Sequence, residues 1–171
     1  MKIESITALS LSKEIKLDIE KLVDPPEDGF AAETNQVVPI SIVRNTRGYI
    51  EKVSNQVNGC YEKGWFDSSA VMIRRLLETL IIECFEKYQI ANKIKNAQGD
   101  FYYLKDLINI TISETAWNLG RNSKKALPKL KDIGDKSAHS RRFNAQINDI
   151  KDLIPDIRLV VQELIYLAQL K

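Results

Sequence analysis

The strongest constraint on the fold is the stretch from Trp65 to Tyr88. Phe66, Ala70, Ile73, Leu77, Leu80 and Cys84 recur there at three- and four-residue spacing and form one stripe of a helix. Val71, Ile82 and Phe85 lie towards the other side. A helix that is apolar on two sides is either central in a bundle or shared with a partner subunit. Arg74, Arg75, Glu78 and Glu83 interrupt it well short of the roughly 20 apolar residues of a membrane span. No membrane partner is expected.

The flanking segments carry the same period. Ile50, Val53, Val57 and Tyr61 predict a helix from Thr46 that Gly64 ends. Further helices are expected from about Phe101 to Ile112, from about Ser123 to Ala138, and from about Ala145 to Leu170. Pro128 suits a helix only near its first turn, and Pro155 should kink or restart the last one. Upstream, Ile3 to Val23 reads as a first helix, stopped by Asp24-Pro25-Pro26-Glu27-Asp28-Gly29. Phe30 to Asn45 reads as an extended or irregular linker, because its β-branched residues surround Pro39, which argues against a central strand. The expected fold is therefore all-α. An N-terminal helix and linker over residues 1–38 would precede an antiparallel bundle of four to five helices over 39–171. A length of 171 residues suits one such core.

Composition narrows the chemistry. Cys60 and Cys84 are the only thiols and have no nearby histidine, so they read as small buried hydrophobes of a reducing compartment. No metal and no cofactor is expected, since the chain has no metal-ligand spacing, Gly-rich phosphate loop or nucleophile–base pair. The charged residues between Lys13 and Lys21 exclude a signal peptide, and a cytoplasmic location is the expectation.

Charge is distributed unevenly. Arg121, Lys124, Lys125, Lys129, Lys131, Lys136, Arg141 and Arg142 face only Asp132 and Asp135 in the same segment, a net +6. The whole chain is +2, so the remainder carries −4. Bases clustered on one element are the footprint of phosphate binding, and they are equally the pattern of a solvated helix face. The segment also holds His139, the sole histidine. In a helix, Lys131, Asp135 and His139 share a face, so Asp135 could accept a hydrogen bond from the imidazole and orient it. A histidine near a helix end also serves as a cap for the last carbonyls. Gly134 and Ala138 leave a side without bulk where another helix can approach. On the long helix, Arg75 and Glu78 lie on the side of Val71 and Ile82, which suggests an interface or a groove, or side chains that snorkel from the bundle edge.

Three stretches carry a resemblance. They are Gly64-Trp65-Phe66-Asp67-Ser68-Ser69-Ala70 leading to Arg74-Arg75-Leu76-Leu77-Glu78, the run Leu130-Lys131-Asp132-Ile133-Gly134-Asp135-Lys136-Ser137-Ala138-His139, and the apolar final helix. Through them Pro39 to Leu167 resembles the bacterial DUF-type helical domains of the HEPN superfamily. Active members are metal-independent ribonucleases that use an Arg, a polar residue and a His across a homodimer. The resemblance implies His139 for the histidine and Asp135 for the polar residue. The arginine has no match; Lys131 stands near its place, further from His139 than the usual spacer, and lacks the planar fork that grips phosphate. Two readings follow. One is a domain of a defence or toxin-type system that binds RNA or another nucleic acid through Arg121, Lys124, Lys125, Lys136, Arg141 and Arg142, with cleavage at His139, Asp135 and Lys131. The other is a non-catalytic interaction or dimerisation module with an acidic protein partner.

Overall fold

In the computed structural model, which describes residues 36–171, the long apolar helix is the hub around which the others pack. The elements are α1 (Ile40–Val43), α2 (Gly48–Glu62), α3 (Phe66–Lys87), a 3₁₀ turn (Ala91–Ile94), α4 (Leu104–Ser113), α5 (Arg121–His139), α6 (Ile147–Lys151) and α7 (Ile154–Leu167). The five helices of ten residues or more make an all-α bundle, and the described residues contain no strand beyond an isolated bridge between Lys95 and Phe101. The expected helix over 3–23 lies outside the described residues.

The period of α3 explains its place. Ala70, Ile73, Leu77, Leu80 and Cys84 are fully buried, and so are Leu76, Ile81 and Phe85 on the adjoining side. The helix accordingly touches α2, α4, α5, α6 and α7. Gly64 ends α2 in the left-handed region at φ +75°. Its N–H donates to the Tyr61 carbonyl at 3.0 Å and the Trp65 N–H to the Cys60 carbonyl at 2.8 Å, the paired bonds that satisfy a helix C-terminus. The chain reverses there, and α3 runs back along α2.

Two expectations need correction. The linker holds one helical turn, α1, because the fixed φ of Pro39 that forbids a ladder suits a helix start. Its approach is also buried. Asn58 pairs with both the N–H and the carbonyl of Val38, at 2.9 and 2.8 Å, which satisfies an otherwise orphaned stretch of backbone. The second correction is Pro128, which sits well inside α5 rather than near its start. Its missing N–H leaves the Lys124 carbonyl without its helical donor. Ala126, Leu127, Leu130 and Ile133, all buried, hold the helix together around that gap. As expected, Pro155 lies in the first turn of a restarted final helix, with α6 separate before it.

Candidate nucleic-acid interface

Helix α5 builds the site. Ser123, Ala126, Leu127, Leu130, Ile133 and Gly134 form its buried face, so the residues between them are turned outwards. Its N-terminus is fixed from a distance. The Glu163 carboxylate of α7 accepts the Gly120 N–H at 2.5 Å and a very short hydrogen bond from the Ser123 hydroxyl. A carboxylate at that end accepts the amide of the residue just before the first turn and suits the helix dipole.

At the other half α5 crosses α3 closely. A Cβ on Gly134 would lie 2.7 Å from the Arg74 Cβ and 3.1 Å from the Ala70 carbonyl oxygen. Gly134 thus does what its position in a helix suggested. Ala138, expected on the same close side, is exposed. Further along, the Ala145 N–H donates to the Asp67 carboxylate at 3.0 Å. The pairings Ala70 to Gly134 and Asp67 to Ala145 make α3 and α5 antiparallel, with the start of α3 beside the end of α5.

A polar cluster covers this crossing. Asp135 accepts from Arg74 Nε at 2.8 Å through one oxygen, and its other oxygen lies 2.6 Å from Lys131 Nζ. Arg74 also approaches Glu78 at 3.7 Å. Burial works to raise the Asp135 pKa, but the hydrogen bonds and charges of Lys131 and Arg74 outweigh it and hold the carboxyl below its ordinary range. Lys131 is pushed above its ordinary range, chiefly by Asp135. Both carboxylate oxygens are therefore engaged away from His139, and the expected Asp135–His139 hydrogen bond is not formed. His139 is the exposed last residue of α5, and its imidazole makes no hydrogen bond or ion pair with any described residue. Arg75 is exposed, while Glu78 is half-buried against Arg74.

Sequence reasoning saw Arg74 as an i,i+4 partner of Glu78 and did not foresee its pairing with Asp135. Arg74 reaches Asp135 from α3 across the crossing, 61 residues away. Its only local signal was the i,i+4 spacing to Glu78.

The outer side of α5 is cationic. Arg121, Lys125 and Lys129 follow at four-residue steps, and Lys136 and His139 continue the same side, with Asp132 among them. Arg141 and Arg142 are exposed in the turn that follows. Lys129 lies 3.6 Å from Asp156 and Lys131 is held by Asp135. Arg121, Lys124, Lys125, Lys136, Arg141 and Arg142 make no ion pair with any described residue. Between α5 and α6 lies a groove of about 380 Å³ whose lining includes Lys129 and Lys136 but also Asp132, Asp149 and Asp152. Those carboxylates disfavour an anion there, so the open ridge rather than the groove offers the positive surface.

The remaining chemistry is modest. Cys60 is half-buried, and burial pushes the Cys84 thiol up to about 12. Among the described residues no group of three His, Cys, Asp or Glu is placed to hold a metal ion, and no helix is long and apolar enough to cross a membrane. Comparison of the chain with protein-family models, with curated proteins and with solved structures gives no match.

Proposed function

We propose that the chain is a nucleic-acid-binding domain, with the cationic ridge of α5 and the turn after it as its contact surface. One observation carries this reading: Arg121, Lys124, Lys125, Lys136, Arg141 and Arg142 lie on one helix and its exit without a carboxylate partner among the described residues. Asp132 on the same helix and Asp149 and Asp152 across the groove lie near them, yet none of these carboxylates forms an ion pair with the six. Phosphates satisfy such a row by releasing condensed counterions. The HEPN-like resemblance adds RNA as the ligand class, and the charged residues between Lys13 and Lys21 favour a cytoplasmic location. The test is binding of labelled RNA across a salt series. Affinity should fall steeply, with a log–log slope of about −0.7 per phosphate neutralised on a single strand. Lys125→Glu with Lys136→Glu should abolish binding and leave the fold intact. Binding that ignores salt, or none, would point instead to an acidic protein partner.

A narrower reading, a metal-independent endoribonuclease of a defence or toxin-type system, is favoured by the exposure of His139 at the end of that ridge. The ribose 2′-hydroxyl would attack the adjacent phosphorus and displace the 5′-oxygen. One group takes the hydroxyl proton and another protonates the leaving oxygen. A carboxyl held low by two cations is a weak base, so Asp135 acts here only in holding Arg74 and Lys131. With one imidazole per chain, histidine for both roles requires an isologous homodimer. His139→Ala should abolish cleavage in the presence of a chelator while folding and RNA binding persist. Cleavage that survives the change would reject this mechanism.

A further inference from the structure

We infer that Trp65 is a stacking platform for unpaired bases beside Arg141 and Arg142, so that the ligand is single-stranded rather than duplex nucleic acid. The inference rests on the ridge reading above and narrows its substrate class.

The two tryptophans of the chain contrast sharply. Trp117 is 8% exposed and packs edge-on against Phe85 and Tyr88, whereas Trp65 is 63% exposed. An indole left in water forgoes the large burial gain of an aromatic side chain. Nothing in the local fold requires that loss, because the backbone of Trp65 is already secured at both sides. Its N–H donates to Cys60 and its carbonyl accepts from Ser69 at 2.9 Å. A ring carried on a fixed backbone loses little freedom when a ligand stacks on it.

Its position relates it to the cations. Antiparallel α3 and α5 bring the start of one beside the end of the other, and the Asp67–Ala145 bond ties the exit turn of α5 to the first turn of α3. Trp65 stands two residues before Asp67, and Arg142 three before Ala145. Trp65, His139, Arg141 and Arg142 therefore belong to segments at one end of the bundle, while the ridge leads away from it along α5. Aromatic faces next to a cationic track are the chemistry that holds single strands: bases stack on the ring and phosphates follow the charges. A duplex keeps its bases stacked on each other and cannot offer them to the ring.

The experiment compares an unstructured RNA strand with the duplex that it forms with its complement, using the full chain. Trp65→Ala should weaken single-strand binding about tenfold and leave duplex binding unchanged. Trp65→Phe should retain most of the affinity. Single-strand binding should quench the tryptophan emission of the natural chain, and the Phe variant, left with Trp117 alone, should lose that response. Trp65→Ala weakening both ligands equally, or neither, or quenching that persists in Trp65→Phe, overturns the inference. If Lys125→Glu with Lys136→Glu still abolishes binding in that case, the ridge reading stands by itself. If the natural chain binds neither ligand, both readings fall.

Discussion

Arg74 and Asp135 join α3 to α5 through a 2.8 Å contact from Nε to an Oδ1 oxygen, one residue beyond the glycine that lets the two helices meet. The crossing thus combines a steric fit with a charge pair. The cations held there, Arg74 and Lys131, belong to the scaffold, and those left outside form the ridge.

The steric half can be tested at Gly134. Alanine alone would favour the helix by about 1 kcal/mol over glycine. Its Cβ would meet the Arg74 Cβ and the Ala70 carbonyl, neither the free end of a flexible side chain, and overpacking of that kind costs about 1–3 kcal/mol. Gly134→Ala should therefore lower stability by about 1 kcal/mol in urea unfolding. Equal or greater stability would show that the helices separate without penalty.

The charge half shows itself in acid. A carboxyl held below its unfolded value contributes fully above that value, about 3.9 for aspartate, and loses its contribution as pH falls through the lower folded pKa. With a third of the side chain exposed, the contribution is at most about 1 kcal/mol. Asp135→Asn should therefore be less stable than the natural chain near neutrality, and the gap should close as pH falls through the lowered folded pKa of Asp135. A gap independent of pH would mean that Lys131 and Arg74 do not stabilise the ionised form.

Glu163 tests the other end of α5. Glu163→Ala removes the acceptor of the Gly120 N–H and the Ser123 hydroxyl, and losing hydrogen bonds to a charged acceptor costs about 1–3 kcal/mol. Hydrogen exchange should accelerate at the Gly120 amide and spare those of α2. Uniform acceleration across the bundle would show a general rather than local role.

Pro128 supplies a gain. It is exposed, and its ring denies the Lys124 carbonyl a helical partner. Pro128→Ala should raise the unfolding midpoint in urea, by up to about 3 kcal/mol of stability. A fall would reveal that the buried residues on either side depend on a bend at that point.

The thiols should separate. Cys84 is buried, donates to the Leu164 carbonyl at 3.4 Å, and its pKa is about 12. In the folded protein a thiol reagent at mild alkalinity should modify Cys60 alone, and Cys84 only after denaturant is added. Equal rates for both in the folded chain would contradict the packing around α3.

What the sequence disclosed follows from where each signal resides. The period of Phe66, Ala70, Ile73 and Leu77 is local, so the central helix could be read directly. A glycine at 134 inside a helix pointed to a close neighbour because glycine is otherwise unfavourable there. The excess of bases between Arg121 and Arg142 was likewise visible as charge, but not which of them share one side of the helix. The contacts of Arg74 with Asp135 and of Glu163 with Gly120 were not, because they join residues 61 and 43 apart and leave no periodic trace. The same holds for Trp65: a tryptophan at a helix start can be covered or bare, and only the assembled bundle decides which. Pro128 misled for a related reason, since the apolar side of α5 outweighs one lost hydrogen bond.

The bond from Ser123 and Gly120 to Glu163 also orders events during synthesis. The first turn of the lysine-bearing helix is completed by a carboxylate that leaves the ribosome some forty residues later. Until then the Gly120 amide must be satisfied by water. The anchor at the head of the ridge thus forms only when the last helix docks.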